Sequence, residues 1–322
     1  MTPEKQLPLV KVIATGGTIA NTPSGRLHAG EVAEVIPDLK QVARLEIEEI
    51  FRVGSSDITP DRWLVIVKRI NELASDQNIQ GFVVTHGSNT LEETACFLHL
   101  TVKTEKPVVL TAAQRQFSTI SSDSPKNFLD AVRVAACEEA RGKGVMTVVN
   151  DEINCGRDVT KRMSYRLQTY TSPDVGALGF VDLNRVTFYR VPSRKHTVAS
   201  EFDVENIEAL PRVDIIYTAS GTDGVLIDAA VERAKSEGLV IAVSPTGAPA
   251  PGMKEALRRA AGAGIPVVYA NRGGHDRLRP MLPEEPFIAG DNLNPQKARI
   301  LLMLALTRTK DFAKIQKMFD EH

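Results

Sequence analysis

The sequence predicts an α/β protein of two domains: a larger N-terminal one built on a parallel sheet and a smaller C-terminal α/β one. Three observations predict this. Short apolar runs of strand length alternate with stretches of helical periodicity, the pattern of βαβ units around a parallel sheet. The alternation weakens over residues 151–195 and resumes at Val213, giving two series instead of one. With 322 residues, 43% of them hydrophobic and 25% charged, the chain can bury full cores.

In the first series, strands are expected at 9–14, 47–53, 81–85, 107–111 and 145–150, with helices at 60–74, 91–101 and 127–140. The last helix follows Pro125 and carries Phe128, Ala131, Val132 and Ala135 at helical spacing. Over 151–195 Arg, Tyr, Pro and Ser are frequent, which reads as a hairpin region passing into an interdomain linker. In the second series, strands are expected at 213–218, 240–244 and 266–271. A helix is expected at 222–237, with Gly238 as its C′ stop. Asn294 as N-cap and Pro295 in the first turn open a final helix to about residue 307. The domains are placed at 1–190 and 213–322, with a linker at 191–212.

A net charge of −1 gives no electrostatic reason to expect nucleic acid or an anionic membrane as partner. The three cysteines, Cys96, Cys137 and Cys155, lack metal-ligand spacing, and an odd count argues against a disulfide framework. No apolar stretch approaches the roughly 20 residues that span a bilayer. The first nine residues are polar and proline-punctuated, unlike a signal peptide. A cytoplasmic location is therefore expected.

Two hydroxyl-bearing turns draw attention. Thr15-Gly16-Gly17-Thr18-Ile19-Ala20 follows the first strand, and Thr85-His86-Gly87-Ser88-Asn89-Thr90 follows the third. Ligands of open α/β sheets bind at the carboxyl ends of strands. A glycine pair lets the backbone turn sharply and approach a ligand, although a plain strand-to-loop turn has the same composition. A phosphate-loop pattern is absent. Glu92 and Glu93 complement the dipole of the following helix, and Asn89 or Thr90 can serve as its N-cap. His86 has no second histidine at ligand spacing, which favours a structural hydrogen-bonding role. Lys161 ends Gly156-Arg157-Asp158-Val159-Thr160-Lys161, a polar run in which lysines are ordinarily solvated. Catalysis would require it to be desolvated beside a hydroxyl.

Together these segments resemble the bacterial-type L-asparaginase family, which includes the glutaminase-asparaginases. Residues 14–20 and 84–95 resemble its two signatures, Val53-Gly54-Ser55-Ser56-Asp57 its substrate-carboxylate loop, 156–161 its Gly-Arg-Asp-Val-Thr-Lys run, and 293–299 its C-terminal helix. The resemblance spans nearly the whole chain. It implies a larger N-terminal and a smaller C-terminal α/β domain, no metal or organic cofactor, and a homotetramer built as a dimer of dimers. It assigns Thr18 to the nucleophile, Ser88 to the second hydroxyl and Lys161 to that hydroxyl's partner. Ser55, Ser56, Gly87, Asn89 and Ala113 fall in the substrate-binding set. Ser55 and Ser56 would hold an α-carboxylate, and Ala113 would offer a backbone oxygen near the leaving group.

Three departures bear on recognition. Asn89 stands where the family has an aspartate that pairs with the substrate ammonium. Leu27 stands where a mobile loop carries a tyrosine; the adjacent His28 is the candidate base in its place. The loop from Gly273 to Pro280 is basic, with Arg277 and Arg279, where the family supplies a glutamate, although Glu284 and Glu285 are not far away. The expected function is hydrolysis of a carbon–nitrogen bond in a small carboxamide with a preference altered from L-asparagine. Hydrolysis of a small lactone or ester, or ligand binding with weak turnover, are the alternatives.

Overall fold

The computed structural model describes residues 6–23, 25–278 and 286–322. The chain divides into two compact units, Met1–Asn206 and Ile207–His322. The division lies inside the stretch expected as a linker. Residues ahead of it belong to the first unit, where Lys103 Nζ donates to the carbonyls of Thr197 (3.2 Å) and Ser200 (2.6 Å).

The first unit is built on an eight-stranded sheet. Its strands are β1 (Leu9–Gly16), β2 (Arg44–Val53), β3 (Ile79–Thr85), β4 (Val108–Thr111), β5 (Val145–Val149), β6 (Glu152–Cys155), β7 (Gly179–Asp182) and β8 (Arg185–Phe188). Between them run helices α1 (Pro60–Leu73), α2 (Leu91–Thr101) and α3 (Ser124–Ala136). The sheet order is β8-β7-β6-β5-β4-β3-β1-β2. Pairing is parallel from β2 through β5 and antiparallel from β5 to β8, so the sheet is mixed instead of purely parallel. The hairpin region expected at 151–195 thus extends the main sheet at one edge. Asn150 and Asp151 make the first reversal at φ 54° and 66°, and Leu183 the second at φ 52°. Strands β4 and β5 are buried on both faces, as parallel strands under helices require.

Helix α3 starts earlier than the periodicity indicated. Pro125 lies inside its first turn, where a missing N–H leaves no bond unmade. It also ends earlier, and a 3-10 turn, Glu138–Ala140, follows Cys137.

The second unit has four parallel strands in sequential order: β9 (Val213–Tyr217), β10 (Gly238–Val243), β11 (Val267–Asn271) and β12 (Ile288–Ala289). Helices α4 (Val225–Glu232), α5 (Lys254–Gly262), α6 (Pro295–Leu306) and α7 (Phe312–Glu321) complete it. Asn294 caps α6 as expected, its side chain accepting from the Lys297 N–H. Helix α4 is shorter than expected, and Gly238 opens β10 instead of stopping a helix. A Cβ at Gly238 would stand 2.9 Å from the side-chain ends of both Leu302 and Leu306 of α6, so the glycine lets that helix pack closely on the strand. Lys235 takes the left-handed position instead, at φ 58°.

In the large sheet the chain leaves β1 toward β2 on one side, and later leaves β3 toward β4 on the other. The strand order therefore reverses between β1 and β3. The carboxyl ends of two such strands open a crevice, because their connections depart in opposite directions. Both hydroxyl turns lie at those ends. Among the described residues no helix is long and apolar enough to cross a membrane, and no three His, Cys, Asp or Glu side chains gather as a metal ion would need.

Candidate active site

Glycine lets three turns meet backbone to backbone. Gly16 and Gly17 leave β1 at φ 105° and 92°. A Cβ on Gly17 would lie 2.4 Å from the nitrogen of Gly87, and one on Gly87 would lie 2.8 Å from the Cβ of Ser55. Only hydrogen fits at these contacts. The Gly17 N–H donates to Val53 O at 3.1 Å, and Thr15 Oγ1 donates to Thr85 O at 2.8 Å, which straps β1 to β3 just below the crevice.

Thr18 opens a 3-10 turn, Thr18–Ala20, directly after the glycine pair. Its side chain, expected as the nucleophile, lies outside the described residues. The carbonyl of Ile19 accepts from the Ser124 hydroxyl at the start of α3. The chain then makes a small hairpin, and Leu27 N donates back to Ala20 O at 2.9 Å. Leu27 packs against the core of the unit. His28 is exposed and held by β2: Nδ1 is 3.1 Å from Glu49 Oε1, and Nε2 accepts from Arg52 at 3.1 Å.

Ser88 is buried, with Lys161 Nζ donating to its Oγ at 2.8 Å and to Asn89 Oδ1 at 3.1 Å. The lysine is therefore half-buried, less solvated than lysines of polar runs ordinarily are. It lies on the two-residue strand Thr160–Lys161, paired with Tyr170–Thr171. The Lys161 N–H donates to Glu92 Oε2 at 2.6 Å, so this glutamate anchors the lysine strand besides complementing the α2 dipole. Burial pushes the Lys161 amine below the ordinary lysine range, against the pull of the nearby Glu92 charge. A partly desolvated amine in contact with a hydroxyl can accept its proton.

The turn around Ser88 is held from several sides. Asn89 N donates to Ser55 Oγ at 3.2 Å, and Thr90 Oγ1 donates to Ser55 O at 2.7 Å. Thr90, at the head of α2, thus spends its hydroxyl on the neighbouring turn instead of on a cap bond. Ser55 is buried and Ser56 exposed, both in the 3-10 turn Ser55–Asp57. The Tyr170 hydroxyl donates to Ser88 O, and burial raises its pKa well above the ordinary phenol value, so it stays a donor.

Behind the turn, Trp63 Nε1 donates to Thr94 Oγ1 at 2.9 Å, and Thr94 lies 2.9 Å from His86 Nε2. His86 Nδ1 is 2.8 Å from Gly87 O, an acceptor, so the proton resides on Nδ1 and Nε2 accepts from Thr94. Burial lowers the pKa of His86 to about 4, which keeps it neutral in this chain of bonds. Its role is structural, as a histidine without a ligand partner suggested.

Ala113 follows β4 and is fully buried. The loop after it folds around Asp123, whose carboxylate accepts from Gln114 N (3.0 Å) and Arg115 N (2.9 Å). Asn127 Nδ2 donates both to this carboxylate and to Ala112 O, each at 2.9 Å. Gln114 Nε2 reaches the carbonyls of Met163, Ser164 and Arg166, which ties this loop to the segment after Lys161.

Ser55, Gly87, Ser88, Asn89 and Lys161 are thus joined by direct contacts, with the Thr18 turn against them through Gly17. Sequence reasoning missed Tyr170, Asp123, Asn127 and the Trp63–Thr94 pair. Thr94 lies within the 84–95 motif, but its bond to Trp63, 31 positions away, is not written in it, and Tyr170, Asp123 and Asn127 belong to no local motif. In the second unit, Arg277 already holds a carboxylate, with Nε 2.6 Å from Asp291 Oδ1. Arg279, Glu284 and Glu285 lie outside the described residues.

Comparison with known proteins places these features in a family. Residues 9–194 match the family model described as asparaginase, N-terminal, and residues 212–319 match the glutaminase/asparaginase C-terminal domain. The chain is 41% identical over 331 residues to L-asparaginase 2 of Bacillus subtilis, covering 99% of this chain and 88% of the relative. It is 39% identical over 328 residues to a probable periplasmic L-asparaginase of Haemophilus influenzae, covering 98% and 93%. The crystal structure of a probable cytoplasmic L-asparaginase from Campylobacter jejuni superposes with a TM-score of 0.94 at 37% identity, covering 98% of this chain and all of that one.

Proposed function

The chain belongs to the L-asparaginase and glutaminase-asparaginase family of amidohydrolases, and from that membership we propose that it hydrolyses the carbon–nitrogen bond of a small carboxamide other than ordinary L-asparagine. The observation that carries the reading is the contact of Lys161 Nζ with Ser88 Oγ at 2.8 Å, in the crevice where the strand order reverses.

In this reading Thr18 Oγ attacks the amide carbon. A C–O bond forms, the C–N bond breaks, and the hydroxyl proton leaves with the nitrogen as ammonia. Ser88 and Lys161 accept and return the proton. Water then attacks the acyl-threonine, the C–O bond to Thr18 breaks, and the carboxylic acid departs. Ser55 and Ser56 bind the carboxylate end, Gly87 belongs to the substrate-binding set, and the backbone oxygen of Ala113 meets the leaving amide. His28 takes the place of the lid tyrosine as a candidate base. No cofactor is required. The protein works in the cytoplasm as a homotetramer, a dimer of dimers. Losing the aspartate charge at position 89 removes a charge-assisted hydrogen bond of about 1.5–3 kcal/mol. That weakens binding of free L-asparagine by roughly 10–100-fold.

A second reading, hydrolysis of a small lactone or ester, is favoured by the same neutral side chain at position 89 and uses the same nucleophile. Ammonia release separates the two, since ester cleavage yields none. The test of the nucleophile is Thr18→Ala in a protein with unchanged circular dichroism and melting temperature. Turnover falls by about 10³-fold or more if Thr18 attacks, and unchanged turnover refutes the assignment.

A further inference from the structure

The two ends of the Asn89 side chain face different surroundings. Its Oδ1 accepts from Lys161 Nζ at 3.1 Å. Lysine offers donors, so the oxygen and not the nitrogen of the amide must face it. The neighbours leave this orientation little freedom. The Asn89 N–H is bound to Ser55 Oγ, the preceding carbonyl is bound by the Tyr170 hydroxyl, and Lys161 is itself held by Ser88 Oγ and through its backbone by Glu92. The residue is exposed at the crevice. Among the described residues no partner accepts from Nδ2. Beside Ser88, position 89 therefore presents the two N–H donors of Nδ2 to the crevice, while its oxygen is turned to Lys161.

This polarity decides what can lie there. An ammonium brings only donors, so at Nδ2 donor would face donor. An oxygen substituent brings the acceptor that Nδ2 lacks. We propose that Asn89 is a specificity-determining residue that selects an amide carrying an oxygen, as a hydroxyl or carbonyl, where an amino acid carries its ammonium. The inference rests on the amidohydrolase reading and narrows its substrate to amides of 2-hydroxy or 2-oxo acids.

The test uses two probes that differ in one group, L-asparagine and L-2-hydroxysuccinamic acid, on the full chain. In wild type, kcat/KM from ammonia release is expected to favour the hydroxy amide by about 10-fold or more. Asn89→Asp replaces donors by acceptors and is expected to move the ratio toward L-asparagine by at least the same factor. Asn89→Ser, which removes Nδ2 without adding charge, is expected to abolish the hydroxy preference without creating an asparagine preference. A wild type that prefers L-asparagine, or a ratio that neither variant moves, overturns the inference and leaves the amidohydrolase reading standing. If neither amide releases ammonia, the amidohydrolase reading falls. Calorimetric affinities of the same two compounds for wild type and Asn89→Asp then decide the inference by the same ratio and inversion.

Discussion

Gly17→Ala tests whether the two hydroxyl turns are held together by backbone contact. The glycine sits at φ 92°, and a Cβ there would meet Gly87 N at 2.4 Å, Gly87 Cα at 2.5 Å and His86 C at 2.5 Å. All three are backbone atoms, so no side-chain rotation relieves the overlap. The left-handed conformation costs a residue with a Cβ about 1–2 kcal/mol, and forcing the turns apart costs about 1–3 kcal/mol. Together the loss is roughly 2–5 kcal/mol. In a unit of this size each kcal/mol lowers the melting temperature by about 2–4 °C, which gives a fall of about 4–20 °C. Displacing the Ser88 turn by about 1 Å lowers turnover by about 100-fold. Thermal unfolding followed by circular dichroism reads the first effect and ammonia release the second. Gly54→Ala is the control for stability, because its Cβ would meet only Asp57 Oδ2 at an ordinary 3.5 Å. A Gly17→Ala protein melting within about 2 °C of wild type would refute the contact.

Lys161→Met keeps the apolar stem and removes the amine; kcat/KM is expected to fall by about 10²–10⁴-fold. Because the protonated amine cannot accept a proton, wild-type activity rises with pH through a limb below the ordinary lysine range, in the direction that burial sets. A limb that persists unchanged in the variant would remove Lys161 from the proton path. Stability has its own pH dependence, from buried histidines. His86 and His99 are pushed by burial from 6.5 to about 4 and about 3. Above pH 6.5 both histidines are neutral whether the chain is folded or not. As the pH falls below that, the unfolded chain binds protons the folded one excludes, so stability drops until the folded values are reached. His86 alone contributes a loss of roughly 3 kcal/mol between neutral pH and about pH 4. Urea midpoints across that range check the sign, and His86→Asn is expected to shallow the slope. An equal slope in the variant would contradict the assignment.

The parallel half of the large sheet was legible because buried strands write continuous apolar runs, as in Val108–Thr111 and Val145–Val149. The antiparallel edge was not. Its strand Gly179–Asp182 alternates buried and exposed residues over four positions, too short a stretch to stand out from a polar surrounding. Gly238 misled because a glycine after a helical pattern usually stops the helix, whereas here the crowding comes from Leu302 and Leu306, some 60 residues away. The hydroxyl turns were legible as glycine punctuation at strand ends. The bonds that hold them were not, since Tyr170 reaches Ser88 across 82 positions and Trp63 reaches Thr94 across 31. Lys161 looked solvated by composition, and only the fold desolvates it.

Trp63 is the single tryptophan of the chain, and its indole N–H begins the relay through Thr94 and His86 to the carbonyl of Gly87. Indole emission responds to hydrogen bonding and local polarity, so the protein carries an intrinsic optical probe three bonds of hydrogen from the Ser88 turn. Any ligand that shifts this turn changes the light from one known position. The signal needs neither label nor turnover, so stopped-flow fluorescence can time the arrival of a substrate.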